Sequence, residues 1–333
     1  MSKPEILIVA KLWPPYLQQL QDTYIVHDRI YETDPAAFAQ IAPRIRAIAG
    51  GGESQVTRAL MDQLPSLEMI SVFGVGYDRY DVAAARERKI SITNTPDVLT
   101  DDVADMGIAL MLALSRSVPQ ADKYVRQGKW TSGPMPLARK VSGARLGIVG
   151  LGRIGSAIAR RAAGFDMSIA YTSRNQVLNC PYKYYPTPAA LAAEVDFLMV
   201  ITPGGAGTKG LINADVLSAL GKTGYLINVA RGSVIDESAL IVALQNGVIA
   251  GAGLDVFEDE PNVPEALCAM SNVVLTPHVA SATWQTRKAM ASRAVTVATL
   301  TFTRLGNSGS CSISGPRVAR SIAALSGTKN TAC

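Results

Sequence analysis

The run Gly150-Leu-Gly152-Arg-Ile-Gly155 constrains this chain more than any other stretch, because of what flanks it. A mostly apolar run, Leu146–Val149, precedes it, and Arg153–Gly164 follows with apolar residues at helical spacing. A strand that turns on glycine straight into a helix opens a βαβ unit. Gly150 permits the tight turn, Gly152 lets the backbone approach a pyrophosphate, and Gly155 lets the helix lie close to the strand. The first N–H groups of such a helix and the positive end of its dipole favour an anion. Gly150, Gly152, Arg153, Ile154 and Gly155 are therefore expected to hold a dinucleotide.

The rest of the chain supplies the sheet that this motif needs. From Leu146 the sequence alternates short apolar runs with helical ones: Leu146–Val149, Ser168–Thr172, Phe197–Ile201, Tyr225–Val229, Gly253–Phe257 and Val273–Leu275 read as strands. The helical segments between them include Arg153–Gly164, Pro188–Glu194, Ala214–Leu220 and Glu237–Asn246. Six strands with intervening helices make a complete doubly wound domain. The first hundred residues repeat the rhythm, with strands at Ile6–Ala10, Ala47–Ala49, Met69–Phe73 and Ile90–Thr93 and helices at Ala36–Ile41 and Ala83–Arg88. Gly50-Gly51-Gly52 and Gly74-Val75-Gly76 follow two of those strands, where glycine lets a ligand approach the backbone. The fold class is α/β, with two parallel-sheet domains. Between them a helix is expected over Asp101–Ser115, with Thr100 as its cap. The stretch from Val118 to Gly143 lacks clear periodicity, carries Trp130, and reads as an extended arm of the kind that packs on another subunit.

Composition excludes several alternatives. At 333 residues the chain exceeds one ordinary core, and at 48% hydrophobic it is globular. No segment approaches the roughly 20 apolar residues that cross a bilayer, so no membrane association is expected. The N-terminal apolar run is too short for a signal peptide. Cys180, Cys268, Cys311 and Cys333 are widely scattered, which argues against a metal site or a disulfide framework and for the cytoplasm. The net charge of +5 is confined to one end. Beyond Glu265 there is no acidic residue, while Arg287, Lys288, Arg293, Arg304, Arg317, Arg320 and Lys329 are all basic. The remainder holds 25 basic against 27 acidic residues, so a nucleic-acid role is not expected.

Two further patterns carry chemistry. An NAD site commonly ends its second strand on a carboxylate that binds the ribose hydroxyls, but here Ser168-Ile-Ala-Tyr-Thr172 leads into Ser173-Arg174-Asn175. Without the acid a 2′-phosphate is not repelled, and Ser173 and Arg174 can hydrogen-bond and neutralise it. NADP(H) is thus preferred over NAD(H), which stays possible. The other pattern is a trio at successive strand ends. Arg231 follows one strand, Glu260 the next, and His278, one of only two histidines, ends the one after. In a parallel sheet all three reach the same edge.

The stretches Gly74-Val-Gly-Tyr-Asp-Arg-Tyr-Asp, Asn94-Thr-Pro-Asp-Val-Leu-Thr, Gly150-Leu-Gly-Arg-Ile-Gly, Asn228-Val-Ala-Arg-Gly, Gly253-Leu-Asp-Val-Phe-Glu-Asp-Glu-Pro and Pro277-His-Val-Ala-Ser-Ala-Thr together resemble the D-2-hydroxyacid dehydrogenase family. Within it the chain is most similar to the glyoxylate/hydroxypyruvate and hydroxyphenylpyruvate reductases. The resemblance implies a flavodoxin-like substrate domain over 1–99 and 281–333, and a Rossmann dinucleotide-binding domain over 100–280. It implies that Arg231 holds the carboxylate of a small 2-oxo acid together with the N–H groups of Val75 and Gly76. His278 would then give a proton to the carbonyl oxygen as hydride reaches C2, with Glu260 orienting the imidazole. Asp255 would bind the nicotinamide end, Thr100, Thr202, Pro203 and Val229 would line the cofactor cleft, and Ser281 and Arg287 would line the substrate site. A homodimer is the family expectation. An NAD-dependent dehydrogenase of another 2-hydroxy acid and a non-catalytic dinucleotide-sensing protein of the same fold are the alternatives. The resemblance fades at about Ala294. From Val295 the chain turns Ser/Thr/Ala/Gly-rich, and a divergent, partly disordered tail is expected.

Overall fold

Continuous apolar runs form strands here because helices cover both faces of each sheet. The computed structural model describes residues 3–307. The chain forms two compact units, one running to Leu99 and resuming at Thr283, the other running from Thr100 to Ala282.

The first unit holds β1 (Glu5–Ile8), β2 (Ile25–Asp28), β3 (Ile45–Gly51), β4 (Met69–Phe73) and β5 (Ser91–Thr93). All pair in parallel, in the order β2-β1-β3-β4-β5. That is a flavodoxin-like order, the kind of domain the family resemblance implies. Leu7, Ile48, Ile70 and Val72 are fully buried in its core, each such side chain contributing about 1.5–3 kcal/mol of transfer free energy. Asp34, Thr57 and Asp81 cap three short helices by accepting the N–H groups of Ala37, Leu60 and Ala84. The sequence reading missed β2. It is an edge strand with an exposed or half-buried face at every position, so it lacks the apolar run that marks the others.

The second unit holds β6 (Arg145–Val149), β7 (Ser168–Thr172), β8 (Lys183–Tyr184), β9 (Phe197–Val200), β10 (Tyr225–Asn228), β11 (Gly251–Leu254) and β12 (Val273–Leu275). Their order is β12-β11-β10-β9-β6-β7-β8, a parallel Rossmann sheet whose direction of winding reverses between β6 and β9. A crevice at the carboxyl ends of the strands beside such a reversal is where ligands bind. The core of this unit includes Leu198, Val200, Leu226, Ala252 and Leu254, all buried.

Three details depart from the sequence reading. The strand expected over Gly253–Phe257 begins and ends earlier, at Gly251–Leu254. Its Gly-Ala-Gly start has little apolar signal, because helix Thr100–Ser115 presses on it: a Cβ on Gly253 would lie 3.2 Å from that of Leu110. The stretch expected to be an extended arm holds a helix, Val118–Arg126, and a 3-10 turn, Lys129–Ser132. The departure at Val295 does not interrupt helix Trp284–Asn307, which packs on β4 and on helix Pro14–Thr23. The rest of the tail lies outside the described residues.

Candidate functional site

The glycine turn after β6 is built as its sequence requires. Gly150 has φ +106°, and a Cβ there would lie 2.9 Å from the Ile201 carbonyl oxygen. At Gly155 a Cβ would collide with the Gly150 carbonyl. Gly152 differs: a Cβ there would meet nothing within 4 Å, so the backbone borders open space. Helix Arg153–Ala163 starts its ladder with the Ser156 N–H on the Gly152 carbonyl at 2.8 Å. The N–H groups of Arg153, Ile154 and Gly155 precede that ladder. A packed turn beside an open face and a helix start fits a pyrophosphate.

The end of β7 lies next to it. Thr172 is buried, the Ser173 hydroxyl donates to the Asn175 carbonyl at 2.6 Å, and Arg174 is exposed. The Arg174 guanidinium makes no hydrogen bond or ion pair among the described residues. Thr202 and Pro203 follow β9, Val229 is buried directly after β10, and Thr100 stands in the first turn of helix Thr100–Ser115 rather than outside it as a cap.

On the other side of the winding reversal, three neighbouring strands end in the trio. Asn228, fully buried at the end of β10, folds the Arg231 turn by accepting the Ala230 N–H at 3.0 Å and donating to the Arg231 carbonyl at 2.9 Å. The Arg231 guanidinium donates to the Ala230 carbonyl at 2.8 Å. Gly232 then passes so close to the backbone of Phe257 and Glu258 that any Cβ would overlap it. This packs the arginine turn against the turn that carries Glu260.

Asp255, fully buried after β11, is the anchor of the histidine loop. Its Oδ1 accepts the Thr276 hydroxyl at 2.6 Å and the Val279 N–H at 2.9 Å, and its Oδ2 accepts the Ala280 N–H at 2.9 Å. Its carbonyl accepts the His278 N–H at 2.8 Å. These bonds hold His278 at φ +52°, a left-handed backbone that costs a histidine on the order of 1 kcal/mol or more. The His278 Nδ1 lies 2.7 Å from Glu260 Oε2, while Glu260 Oε1 accepts the Phe257 N–H at 2.9 Å. The carboxylate therefore selects the tautomer with the proton on Nδ1, so Nε2 is the ring nitrogen able to exchange a proton. Both side chains are largely buried, at 28% and 17% exposed. Ser281 sits in the turn closed by the Ala282 N–H on the Val279 carbonyl at 2.8 Å.

The structure thus joins Glu260 to His278 and ties Asp255 to the same loop. Sequence reasoning missed Asn228, Thr276 and Glu237. Glu237 accepts the Glu258 N–H at 3.2 Å and so steadies the Glu260 turn. Burial pushes its carboxyl above the usual range, the Glu258 N–H opposes this, and the carboxylates of Glu258 and Asp259 add to it. Asn228 was legible as the polar residue ending an apolar strand, a position that demands partners. The other two carry no such signal.

In the first unit, Val75 and Gly76 follow β4. The Asn94 amide donates to the Val75 carbonyl at 2.9 Å, and the Gly74 carbonyl accepts the Thr95 N–H at 2.8 Å. The N–H groups of Val75 and Gly76 themselves have no acceptor among the described residues. Two adjacent unfilled donors at a strand end suit an anion. Arg287, near the start of helix Trp284–Asn307, lies over the Phe73 ring of the same unit, 5.6 Å from its centroid.

Among the described residues no group of three or more histidine, cysteine, aspartate or glutamate side chains could hold a metal ion, and no helix is long and apolar enough to cross a membrane.

Comparison with known proteins agrees with this geometry. The sequence profile "D-isomer specific 2-hydroxyacid dehydrogenase, NAD binding domain" matches residues 108–280. A 2-ketogluconate reductase of Gluconobacter oxydans is 45% identical over 294 residues, covering 88% of this chain and 94% of the relative. A hydroxyphenylpyruvate reductase of Plectranthus scutellarioides is 48% identical over 279 residues, covering 83% and 89%. The crystal structure of an NADPH-dependent glyoxylate/hydroxypyruvate reductase from Sinorhizobium meliloti, in complex with NADP and malonate, superposes with a TM-score of 0.86 at 49% identity, over 91% of this chain and 94% of that one.

Proposed function

The chain belongs to the D-isomer specific 2-hydroxyacid dehydrogenases, and we propose that it uses NADPH in preference to NADH to reduce a small 2-oxo acid of the glyoxylate or hydroxypyruvate kind to the D-2-hydroxy acid. The observation that carries this reading is the His278–Glu260 pair at 2.7 Å, held at the carboxyl edge of the sheet whose β6 turn is open for a dinucleotide.

In this reading the unit from Thr100 to Ala282 is the dinucleotide-binding domain, and the other unit is the substrate domain. Gly150, Gly152, Arg153, Ile154 and Gly155 hold the pyrophosphate, and Ser173, Arg174 and Asn175 hold the adenosine 2′-phosphate. Thr100, Thr202, Pro203, Val229 and Asp255 line the remainder. The bound nicotinamide supplies the hydride. Arg231 and the N–H groups of Val75 and Gly76 bind the substrate carboxylate, and Arg231 polarises the adjacent carbonyl. As hydride reaches C2, the Nε2 proton of the imidazolium passes to the carbonyl oxygen, leaving neutral His278 with its proton on Nδ1, still donated to the Glu260 carboxylate. The reverse reaction returns the proton to Nε2. Ser281 and Arg287 border the substrate. Asp255 acts chiefly by holding the loop that sets the imidazole.

The exposed apolar side chains of Val118, Val125, Trp130 and Leu137, and a groove of about 600 Å³ lined by Leu112, Ala121 and their neighbours, support a homodimer through this arm. Scattered free thiols support a cytoplasmic setting. Light scattering giving a monomer mass would overturn the first.

The deciding experiment is steady-state oxidation of NADPH and NADH with glyoxylate, hydroxypyruvate and 4-hydroxyphenylpyruvate. Turnover with the first two and a higher kcat/KM for NADPH is expected. Tight dinucleotide binding without turnover of any 2-oxo acid would instead favour a sensing protein.

A further inference from the structure

Residues 173–182, the ten that join β7 to β8, have no core of their own. Every side chain among them is exposed or half-buried, and Leu178 is 86% exposed. They nonetheless return the chain to β8, which pairs in parallel beside β7 with Tyr184 opposite Tyr171. Parallel crossovers usually carry a helix, and this one holds none. Without buried apolar contacts such a loop takes its shape from hydrogen bonds.

Two tyrosines of the flanking strands supply them. Tyr171, fully buried in β7, accepts the Val177 N–H on its hydroxyl at 2.9 Å and donates to the Val177 carbonyl at 3.4 Å. Burial pushes its phenol above the ordinary value; the Val177 backbone opposes this, and the Cys180 thiol and Tyr184 add to it. The hydroxyl therefore stays protonated near neutral pH and acts as an uncharged clamp. Tyr184 lies against it with ring centroids 5.4 Å apart, and donates its own hydroxyl to the Ser173 carbonyl at 3.4 Å. The segment from Ser173 to Val177 is thus pinned at both ends, and the Ser173 hydroxyl closes the turn between them on the Asn175 carbonyl at 2.6 Å. Arg174 and Asn175 stand between the pins, and their backbone N–H groups have no acceptor among the described residues. With the Arg174 guanidinium these donors suit phosphate oxygens, provided the turn keeps its shape.

We infer that Tyr171, backed by Tyr184, is a positioning residue for cofactor choice: its buried hydroxyl holds the 173–177 turn in the shape in which Arg174 and the N–H groups beside it meet a 2′-phosphate. The inference rests on the NADPH reading above and adds what keeps that loop in register. A hydroxyl that served only the fold would affect both cofactors alike, since the 2′-phosphate is present in one of them alone.

The readout is the dissociation constant of NADPH and of NADH, taken by fluorescence titration of the whole protein without a 2-oxo acid. Tyr171→Phe keeps the ring on Tyr184 and removes only the clamp. It should raise Kd for NADPH roughly three- to tenfold, the scale of one neutral hydrogen bond, and change Kd for NADH by less than about twofold. Tyr184→Phe should act in the same direction and less, because its bond is longer. In an Arg174→Ala background, Tyr171→Phe should shift Kd for NADPH by less than about twofold, because the hydroxyl works through the turn that carries Arg174. Equal rises for both cofactors, with a lowered thermal midpoint, would make Tyr171 a residue of the fold and overturn the inference. So would an unchanged Kd for NADPH, or effects of Tyr171→Phe and Arg174→Ala that simply multiply. If Arg174→Ala itself leaves the NADPH to NADH ratio unaltered, the phosphate-loop reading fails and takes the inference with it.

Discussion

The two edges of the seven-stranded sheet use the same residue types to opposite ends. At the amino edge Asp196, just before β9, accepts the Arg145 N–H at 2.8 Å, the Arg145 guanidinium at 2.9 and 3.1 Å, and Arg139 at 2.8 Å. Arg139 in turn lies over the rings of Phe197 and Tyr225, which stack on each other at 5.4 Å. Every strong group there is spent on another group of the protein. At the carboxyl edge the carboxylates are held from behind: Asp255 and Glu260 take their bonds from the backbone, from the Thr276 hydroxyl and from His278 Nδ1. One edge closes its interactions on itself; the other, on the reading proposed above, frames the groups that meet a ligand. A parallel sheet makes this division because loops at one edge alone carry the helix starts that bind anions.

The sharpest way to break this comparison is to remove the working group. His278→Asn should lower kcat by roughly a hundred- to ten-thousandfold, the usual contribution of a positioned general acid. Its thermal midpoint should stay within a few degrees of the wild type, because the backbone bonds from Asp255 remain. A large loss of stability with modest loss of rate would show that His278 belongs to the structure rather than to the reaction.

A smaller effect separates the two halves of the carboxyl edge itself. The end of β7, separated from the trio's strands by β6 and β9, is less framed: Arg174 is exposed, the Ser173 hydroxyl is bonded within its own turn, and the Ser173 carbonyl accepts the Tyr184 hydroxyl at 3.4 Å. Arg174→Ala should raise KM for NADPH by about tenfold, as loss of one charge-assisted phosphate contact does, and change KM for NADH by less than about twofold. Equal losses with both cofactors would make Arg174 a structural residue and erase the contrast between a framed corner and an open one.

What the sequence made legible follows the same division. The glycine turn, the strand ends and the trio were readable because a helix start, an apolar run and a polar residue at its end each leave a local pattern. Unread were features set by distant chain. The family resemblance gives Asp255 to the nicotinamide end, and nothing near it in the sequence announces that Thr276, Val279 and Ala280 also bond to its oxygens. The two-residue β8 is shorter than any periodicity can show. The stack of Arg287 on Phe73, and of Phe73 on Tyr16, draws on positions spread over almost the whole chain, and only packing brings them together.

The smallest expected effect tests the amino edge. The Arg145 guanidinium holds the Asp196 carboxyl below the usual carboxylate range; burial works against this, while the Arg145 N–H and the charges of Arg145 and Arg139 add to it. Since the folded value lies below the unfolded one, the stabilisation is fully present above the unfolded value near 3.8. It disappears as pH falls through the lower folded value. Arg145 is half exposed, at 53%, so solvent screens part of the interaction, and Asp196→Asn should cost only about 1 kcal/mol near neutral pH. Denaturant unfolding of the two proteins from pH 7 to pH 2.5 should show that difference constant down to about pH 5 and shrinking below pH 4. With kcat and KM unaltered for both cofactors, the result would confine Asp196 to holding the sheet. A drop in kcat at unchanged stability would mean that the amino edge reaches the chemistry, and the division between the two edges would fail.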